Sequence, residues 1–89
     1  MAALIQQFSD PIHSDDGVSY VVQAWAERAG AWQGWLVFIA ADGSILRTTP
    51  LTSSSSRDMV RRWAARLPRR ALTAALARAI PPSAELPAA

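Results

Sequence analysis

Cysteine and lysine are both missing from this chain of 89 residues, and histidine occurs once, at His13. Without cysteine there is no disulfide framework and no thiolate metal site. A Ser-His-Asp arrangement would have to run through His13, and no nucleophile-elbow pattern supports one. Long apolar runs are lacking as well. The longest, Trp35 to Ala41, is far short of the ~20 residues a membrane helix needs. Met1 to Asp10 carries neither a basic stretch nor an apolar core of the length a secretory signal requires. These absences lead to the expectation of a cytoplasmic protein with no membrane contact, no cofactor and no metal.

What is present points to a folded chain. Half of the residues are hydrophobic and four are Trp, which argues against disorder. A chain this short makes one domain and is marginal as a monomer. All nine basic residues are Arg, a usage that a GC-rich genome explains as readily as selected chemistry. The charge is unevenly placed. Met1 to Leu46 carries a net −4, and Arg47 to Ala89 a net +6. That asymmetry suggests an anionic partner, nucleic acid or an acidic protein, or pairing between the two halves of the molecule.

Along the chain, residues 1–17 read as an N-terminal segment and linker, because Ser9 to Gly17 is polar and turn-forming. Residues 18–80 read as a single α+β domain, and residues 81–89 as a flexible C-terminal tail. Val18 to Glu27 is rich in β-branched and aromatic residues and predicts a first strand. Ala31 to Ala40 predicts a second, and Ile45 to Thr49 a third that Pro50 terminates. The pair Asp42-Gly43 supplies the turn between the last two. Ser55, three residues before Asp58, resembles a capping box. Val60, Trp63, Ala64 and Leu67 then follow at helical spacing. Pro68 stops or kinks that helix, and Leu72, Leu76, Ala79 and Ile80 repeat the stripe. The expected architecture is a three-stranded antiparallel meander followed by one kinked or two short helices.

The second strand carries the most information. Trp35, Val37 and Ile39 fall on one of its faces, and Trp32, Leu36 and Phe38 on the other. A strand with water on one side alternates, and this one does not. One amphipathic helix covers one face, so the other needs the second helix, the N-terminal segment or a second copy of the chain, and the copy is the expected cover. Gly34 between Trp32 and Trp35 marks either a bulge, which would shift this assignment, or a close approach by another backbone.

Two further constellations bear on function. Tyr20, Trp25, Trp32 and Trp35 are candidate stacking platforms for single-stranded nucleic acid. Arg47, Arg57, Arg61, Arg62 and Arg66 are candidate phosphate contacts. On a helical wheel, Arg57, Arg61, Arg62 and Arg66 spread over the whole polar arc, as a solvated face does. The run Ser53 to Ser56 reads as loop and cap. His13 with Asp10, Asp15 and Asp16 has oxygen and nitrogen donors but no second anchoring segment, so no metal site is expected.

The string Gly30-Ala31-Trp32-Gln33-Gly34-Trp35-Leu36-Val37-Phe38, the turn Asp42-Gly43, the step Leu46-Arg47-Thr48 and the pair Trp63-Ala64 resemble a group of short bacterial proteins. Those share a Trp-x-Gly-Trp strand, an Asp-Gly turn and a Trp-Ala helix, and no activity is assigned to them. The resemblance spans Val18 to Ala79, departs at Pro50-Leu51, and implies a bacterial single-domain protein. The reading favoured by the residues is a non-enzymatic homodimer that acts through protein contacts. Its alternative is single-stranded nucleic-acid binding through the sheet aromatics and helix arginines.

Overall fold

The two stretches richest in β-branched and aromatic residues make the two longest strands. In the computed structural model, which describes residues 1–82, the strands are β1 (Ala3–Gln7), β2 (Ile12–His13), β3 (Ser19–Ala29), β4 (Ala31–Ala40), β5 (Ile45–Arg47) and β6 (Thr52–Ser54). Two helices follow, α1 (Arg57–Ala65) and α2 (Arg69–Arg78). The class is α+β, as the pattern predicts, and β3, β4 and β5 form the expected meander. The sheet is larger than three strands, because both of its edges are extended.

On one edge, the segment expected to be a linker pairs with β3. Ala3 lies opposite Ala26 and Gln7 opposite Gln23, while Ile12 and His13 pair with Tyr20 and Ser19. The reason is apolar. Ile12 is buried, and Ile5 and Phe8 pack against the core, so this segment fills an edge that would otherwise stand open. Asp10-Pro11 only interrupts the edge strand, and that interruption is what makes it read as a loop.

On the other edge, β5 and β6 pair with successive halves of β4. The strand expected over Ile45 to Thr49 ends at Arg47, and the chain bulges before re-forming past Pro50. Within the bulge the Thr48 amide donates to the Leu36 carbonyl at 3.0 Å, and the Thr48 hydroxyl accepts from the Leu36 amide at 3.1 Å. The Leu51 amide then donates to the Gly34 carbonyl at 2.8 Å. Side-chain and backbone groups together therefore keep β4 bonded where proline cannot donate.

β3 and β4 pair without a break from Tyr20 opposite Ala40 to Ala29 opposite Ala31. Gly30, at φ +77°, closes that turn in a conformation which side-chain-bearing residues rarely adopt. There is no bulge at Gly34. The close approach is by side chains and not by another backbone, since α1 lies over Gly34 and the space of a Cβ is already taken by Val60.

Ser56, one residue later than the expected cap, is the N-cap of α1, and its Oγ accepts from the Met59 amide at 3.2 Å. Asp58 in the first turn pairs with Arg62. Val60 and Ala64 are buried, with Trp63 and Leu67 packed beside them. Pro68 is extended and begins a second, separate helix. Leu72 and Leu76 carry α2 onto the core. Ile80 does not continue the helical stripe. Its backbone bridges Arg47 in both directions, at 2.8 and 3.0 Å. Of the expected tail, residues 83–89 lie outside the described residues.

The result is two layers. Ile12, Val22, Leu36, Phe38 and Val60 are fully buried between the sheet and the helices. Burial of each such side chain contributes about 1.5–3 kcal/mol. Among the described residues no helix is long and apolar enough to cross a membrane.

Candidate interaction face

Strand alternation decides which side chains share a surface. The core takes the even-numbered positions of β3 and β4, from Val22 and Ala24 to Leu36 and Phe38. The odd-numbered positions stand on the face that bears no helix. There Trp25 lies opposite Trp35, Gln23 opposite Val37 and Val21 opposite Ile39. β5 adds Ile45 beside Ile39 and Arg47 beside Val37, and β1 adds Leu4 beside Trp25. Val21, Ile45 and Leu4 are each more than two-fifths exposed, and Trp25, Val37 and Ile39 are half-buried.

The two indoles on this face are held by their neighbours. The Trp25 Nε1–H donates to Gln23 Oε1 at 3.0 Å, and Gln23 Nε2 reaches Gln7 Oε1 at 3.4 Å. The Arg47 guanidinium stands over the Trp35 ring, 4.9 Å from its centroid. That cation–π contact leaves Trp35 only 8% exposed although it belongs to the open side.

The structure therefore divides the sequence-predicted site residues. Trp25, Trp35 and Arg47 share the open face. Tyr20 and Trp32 occupy even positions on the helix side, where Tyr20 meets Phe38 edge-on at 6.5 Å. Arg57, Arg61, Arg62 and Arg66 belong to α1 and its C-cap, in the layer beyond the opposite side of the sheet. The Arg62–Asp58 pair, at 3.1 Å, is about two-thirds exposed and adds little to stability. The serine tract serves β6 and the cap of α1, with Ser54 Oγ bonded to the Ser56 carbonyl and amide.

Sequence reasoning missed Leu4, Gln7, Gln23 and Ile45. Gln23 carries a signal in retrospect, since a glutamine between valine and tryptophan positions of one strand face is where an indole N–H finds an acceptor. Leu4 carries none, because its strand is interrupted by a turn.

Elsewhere, a cavity of about 460 Å³ is lined by His13, Asp15, Asp16, Tyr20 and Thr73. Asp16 accepts from the Ser14 hydroxyl and the Val18 amide, which hold its carboxyl below the ordinary aspartate value. Among the described residues no group of three or more His, Asp or Glu is arranged to hold a metal ion. No protein-family model, curated protein or solved structure matches the chain.

Proposed function

We propose that this protein is a non-enzymatic contact module that self-associates through the open face of its sheet. The observation that carries the reading is the apolar patch formed by Trp25, Val37 and Ile39 with Val21, Ile45 and Leu4 around it, interrupted by Gln23 and by Arg47, which covers Trp35. The open face as a whole, of which the apolar patch is about half, is large enough to seat a second copy. The ten residues of β4 and four strand columns span about 33 by 19 Å, roughly 600 Å² on each subunit. Two copies together bury about 1,200 Å², the lower end of the range for specific interfaces. Sheets packed in this way lie about 10 Å apart and interdigitate their side chains.

Light scattering after size exclusion tests this directly. A dimer is expected at micromolar concentration, and Val37→Arg should give a monomer with an unchanged far-ultraviolet spectrum. A wild-type monomer across the micromolar range would sink the proposal.

Single-stranded nucleic-acid binding is supported by the half-buried Trp25 ring and the Arg47 cation on one face, although Arg47 itself covers Trp35. Against it, the arginines of α1 and the Trp25–Trp35 pair are on opposite layers. A fluorescent oligonucleotide titrated at about 50 mM salt separates the two readings, because phosphate contacts give a steep salt slope. Absence of binding there removes the second.

A further inference from the structure

A second feature lies on the helical side, away from the open face. Helix α2 sets Leu72 and Leu76 into the core, and its adjacent stripe of Ala71, Ala74, Ala75 and Arg78 follows i, i+3, i+4, i+7 spacing. Three methyl groups do not reach across to the bulged edge of the sheet. A wedge-shaped cavity of about 360 Å³ is left between that stripe, the end of α1 and the Thr48–Leu51 bulge. Cavities of roughly 300–1,000 Å³ accommodate small-molecule ligands.

The chemistry of the wedge is one-sided. Leu36, Trp63, Leu67 and Leu51 supply an apolar wall. Arg78 is the one charged residue lining it, and it makes no ion pair or hydrogen bond among the described residues. Thr48, 3% exposed, also lines it. Its hydroxyl accepts from Leu36, and its own proton has no acceptor among the described residues. Thr49 lines it too; the two hydroxyls both donate and accept, so the sign of the site is set by Arg78, the single charge, with no carboxylate in the lining. A lone guanidinium beside an apolar wall matches a planar monoanion, which it holds with two parallel N–H bonds.

We propose that this wedge binds a small amphipathic carboxylate, its apolar chain against Trp63 and Leu67 and its carboxylate at Arg78. The proposal is independent of self-association, since the two surfaces are on opposite layers.

The test is a titration of the full chain with octanoate, with octanol and octylammonium as matched probes, followed by amide and indole NMR shifts. Saturable shifts are expected at Leu36, Thr49, Ala75 and the Trp63 indole. Octanol should bind at least about tenfold more weakly, the scale of a lost charge-assisted hydrogen bond. Arg78→Gln, an exposed change that spares the core, should weaken octanoate to the same degree, and Ala75→Trp should fill the wedge and abolish binding. Val37→Arg on the open face should leave it unaltered. Equal binding of octanoate and octylammonium overturns the proposal, as do shifts centred on Trp25 and Trp35. So does failure to saturate by about 10 mM.

Discussion

Gly34→Ala probes the fold at the point where helix and sheet come closest. A Cβ on Gly34 would stand 2.6 Å from Val60 Cγ1, 3.0 Å from Thr52 Cγ2 and 3.1 Å from Trp63 Cζ3. Val60 cannot swing aside, because it is wholly buried and a β-branched residue in a helix has one strongly preferred rotamer. Overpacking of this kind costs about 1–3 kcal/mol. The better strand propensity of alanine offsets roughly 0.5–1 kcal/mol of that. The net loss is about 0–2.5 kcal/mol, centred at about 1.25 kcal/mol, which at the centre lowers Tm by roughly 5–10 °C in a chain of this size. Thermal and urea unfolding by circular dichroism measure it. Val60→Ala removes the methyl group that is struck, so Gly34→Ala with Val60→Ala should be more stable than additivity predicts by about 1 kcal/mol or more. A Gly34→Ala protein more stable than the wild type would refute the packing of α1 on β4. Additivity of the pair within about 0.5 kcal/mol would refute the assignment of the clash to Val60.

Thr48→Val leaves the buried Leu36 amide without its acceptor and should cost about 1–3 kcal/mol, whereas Thr48→Ser keeps the bond; urea midpoints distinguish them. Ser56→Ala should cost about 1 kcal/mol by loss of the α1 cap, and Ser55→Ala should cost little, which locates the cap by unfolding alone. Asp42 is held below the ordinary value of 3.8 by the Ser44 side chain and amide, and Asp16 by the Ser14 hydroxyl and Val18 amide. Both carboxylates therefore favour the folded state above that value, and the contribution is lost as pH falls through the folded midpoints. Carboxyl NMR titrations should give midpoints under 3.8, and values at or above it would contradict the hydrogen bonding. Dimer affinity should change little between low and physiological salt, because Arg57, Arg61, Arg62 and Arg66 lie outside the sheet-to-sheet contact; a steep slope in sedimentation would place them in it.

The interior of the fold was legible because local pattern and tertiary role agree there. β4 is apolar on both faces since one face meets the helices and the other is the open band, and its alternation places Trp32 and Trp35 correctly without any structure. The Val60, Trp63, Ala64 and Leu67 stripe packs on the core as its spacing requires. The edges were not legible, for a physical reason. An edge strand pairs on one side only, so it needs few signature residues, and β1, β2 and β6 are short. Ile5, Phe8 and Ile12 are spaced across a turn, which hides their common side. Pro50 ends one ladder, and nothing local indicates that the same strand resumes at Thr52. The open face was half legible. Its two tryptophans follow from alternation, while Leu4 and the Gln7–Gln23–Trp25 hydrogen bonds depend on a pairing between segments sixteen residues apart.

Aromatic and basic residues are both abundant in this chain, and their numbers alone invite the idea of one mixed surface. The register of β3 against β4 separates them. Trp25 and Trp35 project from the side that has no helix, and the arginines of α1 belong to the layer on the other side. In the proposed dimer, two copies would meet through the open faces and the helical layers would be the outer surfaces of the pair. The positive charge of the second half of the chain then faces solvent on both sides instead of meeting itself across the interface. Like charges apposed at an interface oppose association, and here the sheet and its partner stand between them. Arg47 is the exception among the arginines singled out, and its guanidinium is engaged over Trp35, within the apolar band. The charge asymmetry that first suggested an anionic partner is thus compatible with self-association, because the fold keeps the two properties on separate surfaces.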